Sequence, residues 1–324
     1  MERKKVVAGI DLGGTNTVFG FVDRDGNILM EDRLITNHYP RFEDFVAALY
    51  EKIDGNYKKA EADIELIGFG IGAPMGNINK GTIEHTANLP WKGILPLAEI
   101  LGKFTTLPII VTNDANAAAV GEMIYGGAKG MKDFVVITLG TGLGSGFVVD
   151  GKLIYGHDGF AGEIGHTSIR PGESNRDCGC GKKGCIETYA SASGLKRTLL
   201  KVMADSIEPS PLRKYSFEEL DAKIIHDAAL QGDQIAINAF EHTGKMLGFK
   251  LADVVAHTNP EAIFLFGGLA LAKDLIFEPT KRYMEQNLLS IYRGKVKLLE
   301  SQLSTQNAAV LGASSLIWSV KEQQ

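Results

Sequence analysis

The chain's only three cysteines fall within eight positions, Cys178-Gly-Cys180-Gly-Lys-Lys-Gly-Cys185. Three thiolates and one imidazole satisfy the tetrahedral preference of a closed Zn²⁺ site. His166, in the stretch Glu163-Ile-Gly-His166 just upstream, offers the imidazole, and His157 is the other histidine close in sequence. Glycines at 179, 181 and 184 let a short knuckle turn its sulfurs inward. A disulfide would leave one cysteine odd, so the rival to a structural zinc is a redox-active or inert thiol cluster. Glu163 and Glu187 flank the cysteines, so a metal here would shape a polar pocket.

Two further stretches carry groups suited to chemistry. Asp11-Leu-Gly13-Gly14-Thr15-Asn16 and Gly140-Thr141-Gly142-Leu-Gly144 each follow an apolar run. Glycine loops after strands cradle phosphates when their N–H groups converge on one anion, although structural turns use the same residues. Neither is a Walker A sequence, and Ser145 stands where a dinucleotide fingerprint needs its third glycine. With Gly267-Gly268 as a purine-side loop, the two favour an NTP held between two domains, and Asp11 is placed to hold Mg²⁺ through water. Asn113-Asp114 joins an apolar run to an alanine-rich segment. An aspartate there is either a helix cap or a base at the carboxyl edge of a sheet, able to take a proton from a substrate hydroxyl. Asn88, Asn113, Asp114, Glu163, His166 and Glu187 together make an inventory of planar groups able to share hydrogen bonds with several hydroxyls.

The elements that must hold these groups alternate. Apolar runs at 6–10, 18–22 and 28–34, with the turn Asp25-Gly26-Asn27, read as strand, loop, strand, hairpin, strand. Phe42, Phe45, Val46, Leu49, Tyr50 and Ile53 recur at helical spacing, predicting a helix over 41–54. Strands follow at 64–70 and 109–112, with a helix over 115–125. The opening pattern then returns at 133–151. Asp11 aligns with Thr138 at an offset of 127, Gly20-Phe-Val with Gly146-Phe-Val at 126, and Asp25-Gly26 with Asp150-Gly151 at 125. Two copies of one unit imply a duplicated α/β architecture with two similar domains facing each other. Chance matching of glycine-rich hairpins is the competing account. Helical spacing dominates 194–257, and a last strand at 262–266 runs into Gly267-Gly268.

Bulk properties narrow the classes. At 324 residues the chain exceeds what one core usually supports, so two domains are expected. With 44% hydrophobic and 23% charged residues and a net charge of -5, it reads as an ordinary globular protein without a broad nucleic-acid surface. No apolar run reaches the roughly 18–20 residues of a membrane span, and the opening Met1-Glu-Arg-Lys-Lys5 has no apolar h-region behind it. A cytoplasmic protein is the expectation.

Taken together, Asp11-Leu-Gly-Gly-Thr-Asn16, Asn113-Asp114, Gly140-Thr-Gly142, Glu163-x-x-His166 and Cys178-Gly-Cys-Gly-x-x-Gly-Cys-x-Glu187 resemble the ROK family of bacterial sugar kinases and sugar-responsive repressors, across nearly the whole chain. The resemblance implies two duplicated actin–hexokinase-type (ribonuclease H-like) domains around a central cleft. The small domain would span 1–120, joined by a C-terminal helix at about 307–324, and the larger one 121–306 with the zinc loop. It makes Asp114 the general base and His166, Cys178, Cys180 and Cys185 the zinc ligands. The same resemblance puts the sugar on Asn88, Asn113, Asp114, Glu163, His166 and Glu187, and ATP on the three glycine loops. The implied activity is ATP-dependent, Mg²⁺-assisted phosphorylation of a hexose 6-hydroxyl, glucose first, in a homodimer. N-acetylglucosamine, N-acetylmannosamine, mannose, fructose and allose are the alternative substrates. A repressor is the reading from another class; only five residues precede the first strand at Val6, too few for a helix-turn-helix. The chain departs from many relatives at Asn16, where they carry lysine, and at Ser145, where they carry glycine and where a serine is tolerated if its side chain faces outward.

Overall fold

The computed structural model describes residues 3–86, 89–169, 176–303 and 308–322. In the first half, β1 (Lys4–Leu12), β2 (Asn16–Asp23), β3 (Ile28–Ile35), α1 (Phe42–Ala60), β4 (Ile64–Gly72), β5 (Gly76–Asn77), β6 (Thr82–Glu84), β7 (Ile94–Leu95), α2 (Leu97–Leu101), β8 (Ile109–Thr112) and α3 (Asp114–Ile124) follow in order. The second half runs β9 (Phe134–Leu139), β10 (Leu143–Val149), β11 (Lys152–Leu153), α4 (Ala192–Ala204), α5 (Ala222–Leu230), α6 (Gln234–Thr258), β12 (Ala262–Phe266), α7 (Asp274–Asn287), β13 (Lys297–Glu300) and α8 (Ala308–Glu322).

Two five-stranded sheets share one topology. Their orders are β3-β2-β1-β4-β8 and β11-β10-β9-β12-β13. In each, three antiparallel strands are followed by two that add in parallel. The duplication inferred from the glycine loops is therefore a duplication of whole sheets. Register explains the drifting offset. Leu12 pairs with Thr17 across the first loop, whereas Leu139 pairs with Leu143 across the second, which is one residue shorter. The next turn shortens again: Val149 pairs with Lys152 around Asp150 (φ 51) and Gly151 (φ 72), the left-handed pair of a two-residue hairpin turn.

Period-two alternation sets which face meets which helix. Val6, Ala8, Ile10 and Leu12 of β1 pack with Phe45, Leu49 and Ile53 of α1, while Val7 on the opposite face meets Ile317 and Trp318 of α8. On β9, Val135, Ile137 and Leu139 face the core formed with α4 and α6, and Phe134 and Val136 face Ala118 and Ala119 of α3. The covering helices are exchanged: α8, which follows the second sheet, lies on β1 and β4, and α3, which follows the first, lies on β10 and β9. Glycines permit the close approach. A Cβ on Gly9 would lie 2.2 Å from the Val310 carbonyl and one on Gly70 1.9 Å from that of Ala313. α3 is buried from Ala115 to Glu122, as its alanines allow. Position 120 lies inside α3; the chain leaves that helix at Tyr125 and enters β9 at Phe134. The helix predicted over 41–54 extends to Ala60. No described helix is long and apolar enough to cross a membrane.

Candidate functional site

The groups singled out in the sequence gather where the central strands of the two sheets end. β1 delivers Asp11 and the loop through Gly13, Gly14 and Thr15 to Asn16, where Gly13 N–H donates to the Asn16 carbonyl at 3.1 Å. β9 delivers residues 140–142, where Gly140 N–H donates to the Gly142 carbonyl at 3.1 Å. β12, parallel to β9, ends in Gly267-Gly268 beside that loop. Gly267 has φ 101, and a Cβ there would sit 2.8 Å from the Leu139 carbonyl, so only glycine fits. Gly144 lies on β10 itself, closed in by Thr138 and Ala115.

β8 ends in Asn113, whose side chain accepts from Ala115 N–H at 2.8 Å and caps α3. The capping role weighed for the aspartate thus goes to Asn113, and Asp114 becomes the first helical residue. Its Oδ1 also accepts from Ala115 N–H, at 2.7 Å. Asp114 is hemmed in by protein yet keeps a solvent-open surface, as the floor of a cleft would. Burial pushes its carboxyl up. Gly72, at the end of β4, packs against the same helix: a Cβ there would lie 3.3 Å from Ala117 Cβ. Burial, together with the charge of Asp114, also raises Asp11 from 3.8 to about 6. From the second half Glu163 lies within reach of Asp114: burial pushes its carboxyl up, His166 opposes, and Asp114 and Glu187 add. Asp11, Asp114, Glu163, His166 and Glu187 thus share one electrostatic neighbourhood. Asn88 lies outside the described residues.

The cysteine knuckle closes on His166. The ligand atoms of His166, Cys178, Cys180 and Cys185 all lie within 4.8 Å of one another. Cys178 Sγ is 3.6 Å from His166 Nδ1, and Cys180 Sγ is 3.7 Å from Cys185 Sγ. A tetrahedral ion with bonds of about 2.3 Å to sulfur and about 2.0–2.1 Å to nitrogen would separate its ligands by about 3.8 Å (S–S) and about 3.6 Å (S–N). The donor set fits. His157 is exposed away from the cluster and is not a ligand to it. Glu187 connects the knuckle to the second glycine loop: Leu143 N–H donates to its Oε2 at 2.9 Å, and Cys178 Sγ lies 3.6 Å from its Oε1. Ala192 N–H, at the start of α4, binds the Gly140 carbonyl at 2.9 Å and holds the loop from the other side.

Three features escaped the sequence reading. Ser145 does not face outward; it is buried and its hydroxyl donates to the Gly162 carbonyl, bracing the turn just before Glu163. Its neighbours come from a segment 17 residues away, which local pattern cannot foresee. Tyr155 is a second, its hydroxyl paired with Thr112 just before Asn113 and pushed up to about 12 by burial. Glu122 is a third, completely buried at the far end of α3.

Known proteins are similar to this chain over nearly its whole length. A glucokinase of Halalkalibacterium halodurans is 35% identical over 322 residues, covering 98% of this chain and 95% of that one. A ROK family glucokinase from Streptomyces griseus, solved in complex with glucose and AMPPNP, superimposes with a TM-score of 0.80 at 32% identity, over 96% of this chain and 98% of that one. A ROK family transcriptional regulator, a homolog of the E. coli MLC protein, superimposes with a TM-score of 0.86 at 28% identity, over 97% of this chain and 78% of the regulator. The ROK family pattern itself runs through residues 7–320. With two like-folded sheets, paired glycine loops and a Cys₃His knuckle spanned by that match, the chain belongs to the ROK family.

Proposed function

We propose that this protein is an ATP-dependent hexose kinase that transfers the γ-phosphoryl group of ATP to the 6-hydroxyl of glucose. The observation that carries the reading is Asp114. It is a carboxylate at the start of a buried helix, its proton affinity raised by burial, within electrostatic reach of Asp11 and Glu163. A general base works best when its pKa approaches the operating pH. Asp114 takes the hydroxyl proton as the sugar oxygen attacks the γ-phosphorus in line; the P–O bond to ADP breaks, and the products are sugar 6-phosphate, ADP and a proton. Asn88, Asn113, Glu163, His166 and Glu187 hold the sugar hydroxyls and fix the 6-hydroxyl on Asp114. Backbone N–H groups of residues 13–16 and 140–142, with Gly144 and Gly267-Gly268 alongside, hold the nucleotide.

Asp11 is the residue that would hold Mg²⁺ near the phosphates, where the ion supplies charge neutralisation. His166, Cys178, Cys180 and Cys185 would hold Zn²⁺, which supplies rigidity to the loop bearing His166 and Glu187. The reading is of a cytoplasmic enzyme with 1–120 and the C-terminal helix as its smaller domain, acting as a homodimer; size-exclusion chromatography with light scattering checks the last point.

The test is kcat/KM on a panel of glucose, mannose, fructose, allose, N-acetylglucosamine and N-acetylmannosamine. Glucose should lead. A lead by an N-acetylated sugar would keep the kinase and move its substrate, and absence of ATP consumption with every sugar would overturn the kinase. The likeness to the transcriptional regulator supports a second reading, sugar sensing without catalysis. Sugar binding without turnover, together with a gel shift on DNA, would establish it.

A further inference from the structure

With α3 packed on the second sheet and α8 on the first, the chain crosses between the two layers where β8 passes into α3 and where β13 passes into α8, and one side chain of α3 holds the start of the second crossing. Residues 125–133 form the link from α3 to β9 within the second layer, and the link from 301 onward leads from β13 across to α8. Glu122, in the last turns of α3, is completely buried. From the first link, Gly127 N–H donates to its Oε1 at 2.7 Å. From the second, Gln302 N–H donates to Oε1 at 3.0 Å and the Ser301 hydroxyl to Oε2 at 2.5 Å. The Glu122 carbonyl accepts from Gly126 N–H at 3.1 Å and Ala128 N–H at 3.2 Å. Nothing can intrude: a Cβ on Gly126 would lie 2.5 Å from Oε1. Beside this knot α3 and α8 cross at Gly121 and Gly312, where a Cβ on Gly121 would come within 2.8 Å of Gly312 Cα. A buried carboxylate persists only if its oxygens are well bonded, and here the donors are the turn that follows α3 and the crossing segment at 301–302.

The same helix carries Asp114 at its other end, eight residues away, about 12 Å along a rigid rod. We infer that Glu122 is the positioning residue of the interdomain hinge: it pins the β13-to-α8 crossing, at Ser301 and Gln302, to α3, so that closure of the two halves delivers Asp114 to the sugar in a fixed register. Domain closure itself is the ordinary device of kinases for excluding water. What the structure adds is the group about which this chain would turn, far from the reacting atoms. The inference rests on the kinase reading for its catalytic arm, whereas the hinge has an arm of its own.

The experiment compares the wild-type protein with Glu122→Gln, Glu122→Asp and Ser301→Ala, each confirmed folded by thermal melting. Glu122→Gln keeps the shape but replaces one acceptor by a donor that faces other donors. It should lower kcat about tenfold, raise ATP hydrolysis without sugar relative to transfer, and leave the calorimetric Kd for glucose unchanged. Ser301→Ala, on the other side of the knot, should lower kcat in the same sense by about threefold. Glu122→Asp, which keeps the charge, should recover part of the loss. Wild-type kcat and an unchanged ratio of idle hydrolysis to transfer in Glu122→Gln would overturn the inference. So would a loss that merely follows the folded fraction. Should Glu122→Gln not fold, Ser301→Ala decides by the same criteria. If the wild type phosphorylates no sugar, the kinase reading falls and X-ray scattering of the free proteins decides the hinge. A broader interdomain distance distribution in the variants supports it, and an identical one overturns it.

Discussion

The two sheets are copies in topology but not in chemistry. At the end of β1 stands Asp11, a buried carboxylate raised to about 6; at the matching position of β9 stands Thr138, whose Oγ1 accepts from Gly144 N–H at 3.1 Å and braces its own loop. The first loop is tied to its own strand pair by Gly13 and Asn16. The second is also gripped from outside, by Glu187 on Leu143 and by the start of α4 on Gly140. One scaffold used twice thus yields a charged edge that suits a cation and a proton acceptor, and a neutral, braced edge that suits a phosphate cradle. Duplication supplies the geometry, and a single substitution at each matched position supplies the division of labour.

The largest break in this comparison removes the proposed base from the charged edge. Asp114→Asn should lower kcat by about 10²–10⁴-fold while glucose still binds, as steady-state rates and calorimetry would show. Near-normal turnover would remove Asp114 as the base. Next comes the external brace of the second edge. Stripping the metal with a chelator, or Cys185→Ser, should weaken glucose binding by about 10–100-fold and lower the melting temperature together. A metal-free protein that stays folded and fully active would show that the knuckle is not the brace.

Asp11→Asn separates function from stability. The native carboxyl, at about 6 against its ordinary 3.8, keeps a proton that the unfolded chain has released. Stability should therefore fall as pH rises from about 4 to about 6 and level off above, by at most about 3 kcal/mol less the screening at its partly open face. Asp11→Asn should abolish that fall, melt higher than wild type at neutral pH, and still lose at least about tenfold in kcat/KM for ATP. A variant with the wild-type pH dependence of melting would show that Asp11 is not strained in the native state. The smallest effect is on the neutral edge: Thr138→Val leaves Gly144 N–H without its acceptor and should cost about 1 kcal/mol in a denaturant melt. If Thr138→Val proved as harmful to turnover as Asp11→Asn, the two edges would not differ as described.

Much of this was legible in the chain because the signals are local. Glycine spacing gave the two loops and their one-residue difference, because backbone angles and close approach restrict residue choice at each position. Cys178, Cys180 and Cys185 could be grouped from ligand type and spacing alone, whereas His166 rather than His157 as their neighbour was decided by the tertiary structure. The burial of Ser145 was not legible, because its partner, the Gly162 carbonyl, comes from a turn whose path the strand pattern does not determine. Glu122 was passed over because a glutamate in an alanine-rich helix reads as a solvent-facing polar residue, and nothing nearby marks it as buried.

By itself the amino-acid sequence determined the elements, the repeat and the ligand types, each governed by steric and coordination rules acting over a few residues. Only the tertiary structure decided the exchange of covering helices and the meeting of Asp11 and Asp114 with Glu163. The binding of Ser301 and Gln302 by Glu122 was decided there too. Those outcomes depend on how two sheets pack, and packing joins residues as far apart as Gly9 and Val310. Local propensity carries no information over such distances, since burial and charge are properties of the assembled neighbourhood.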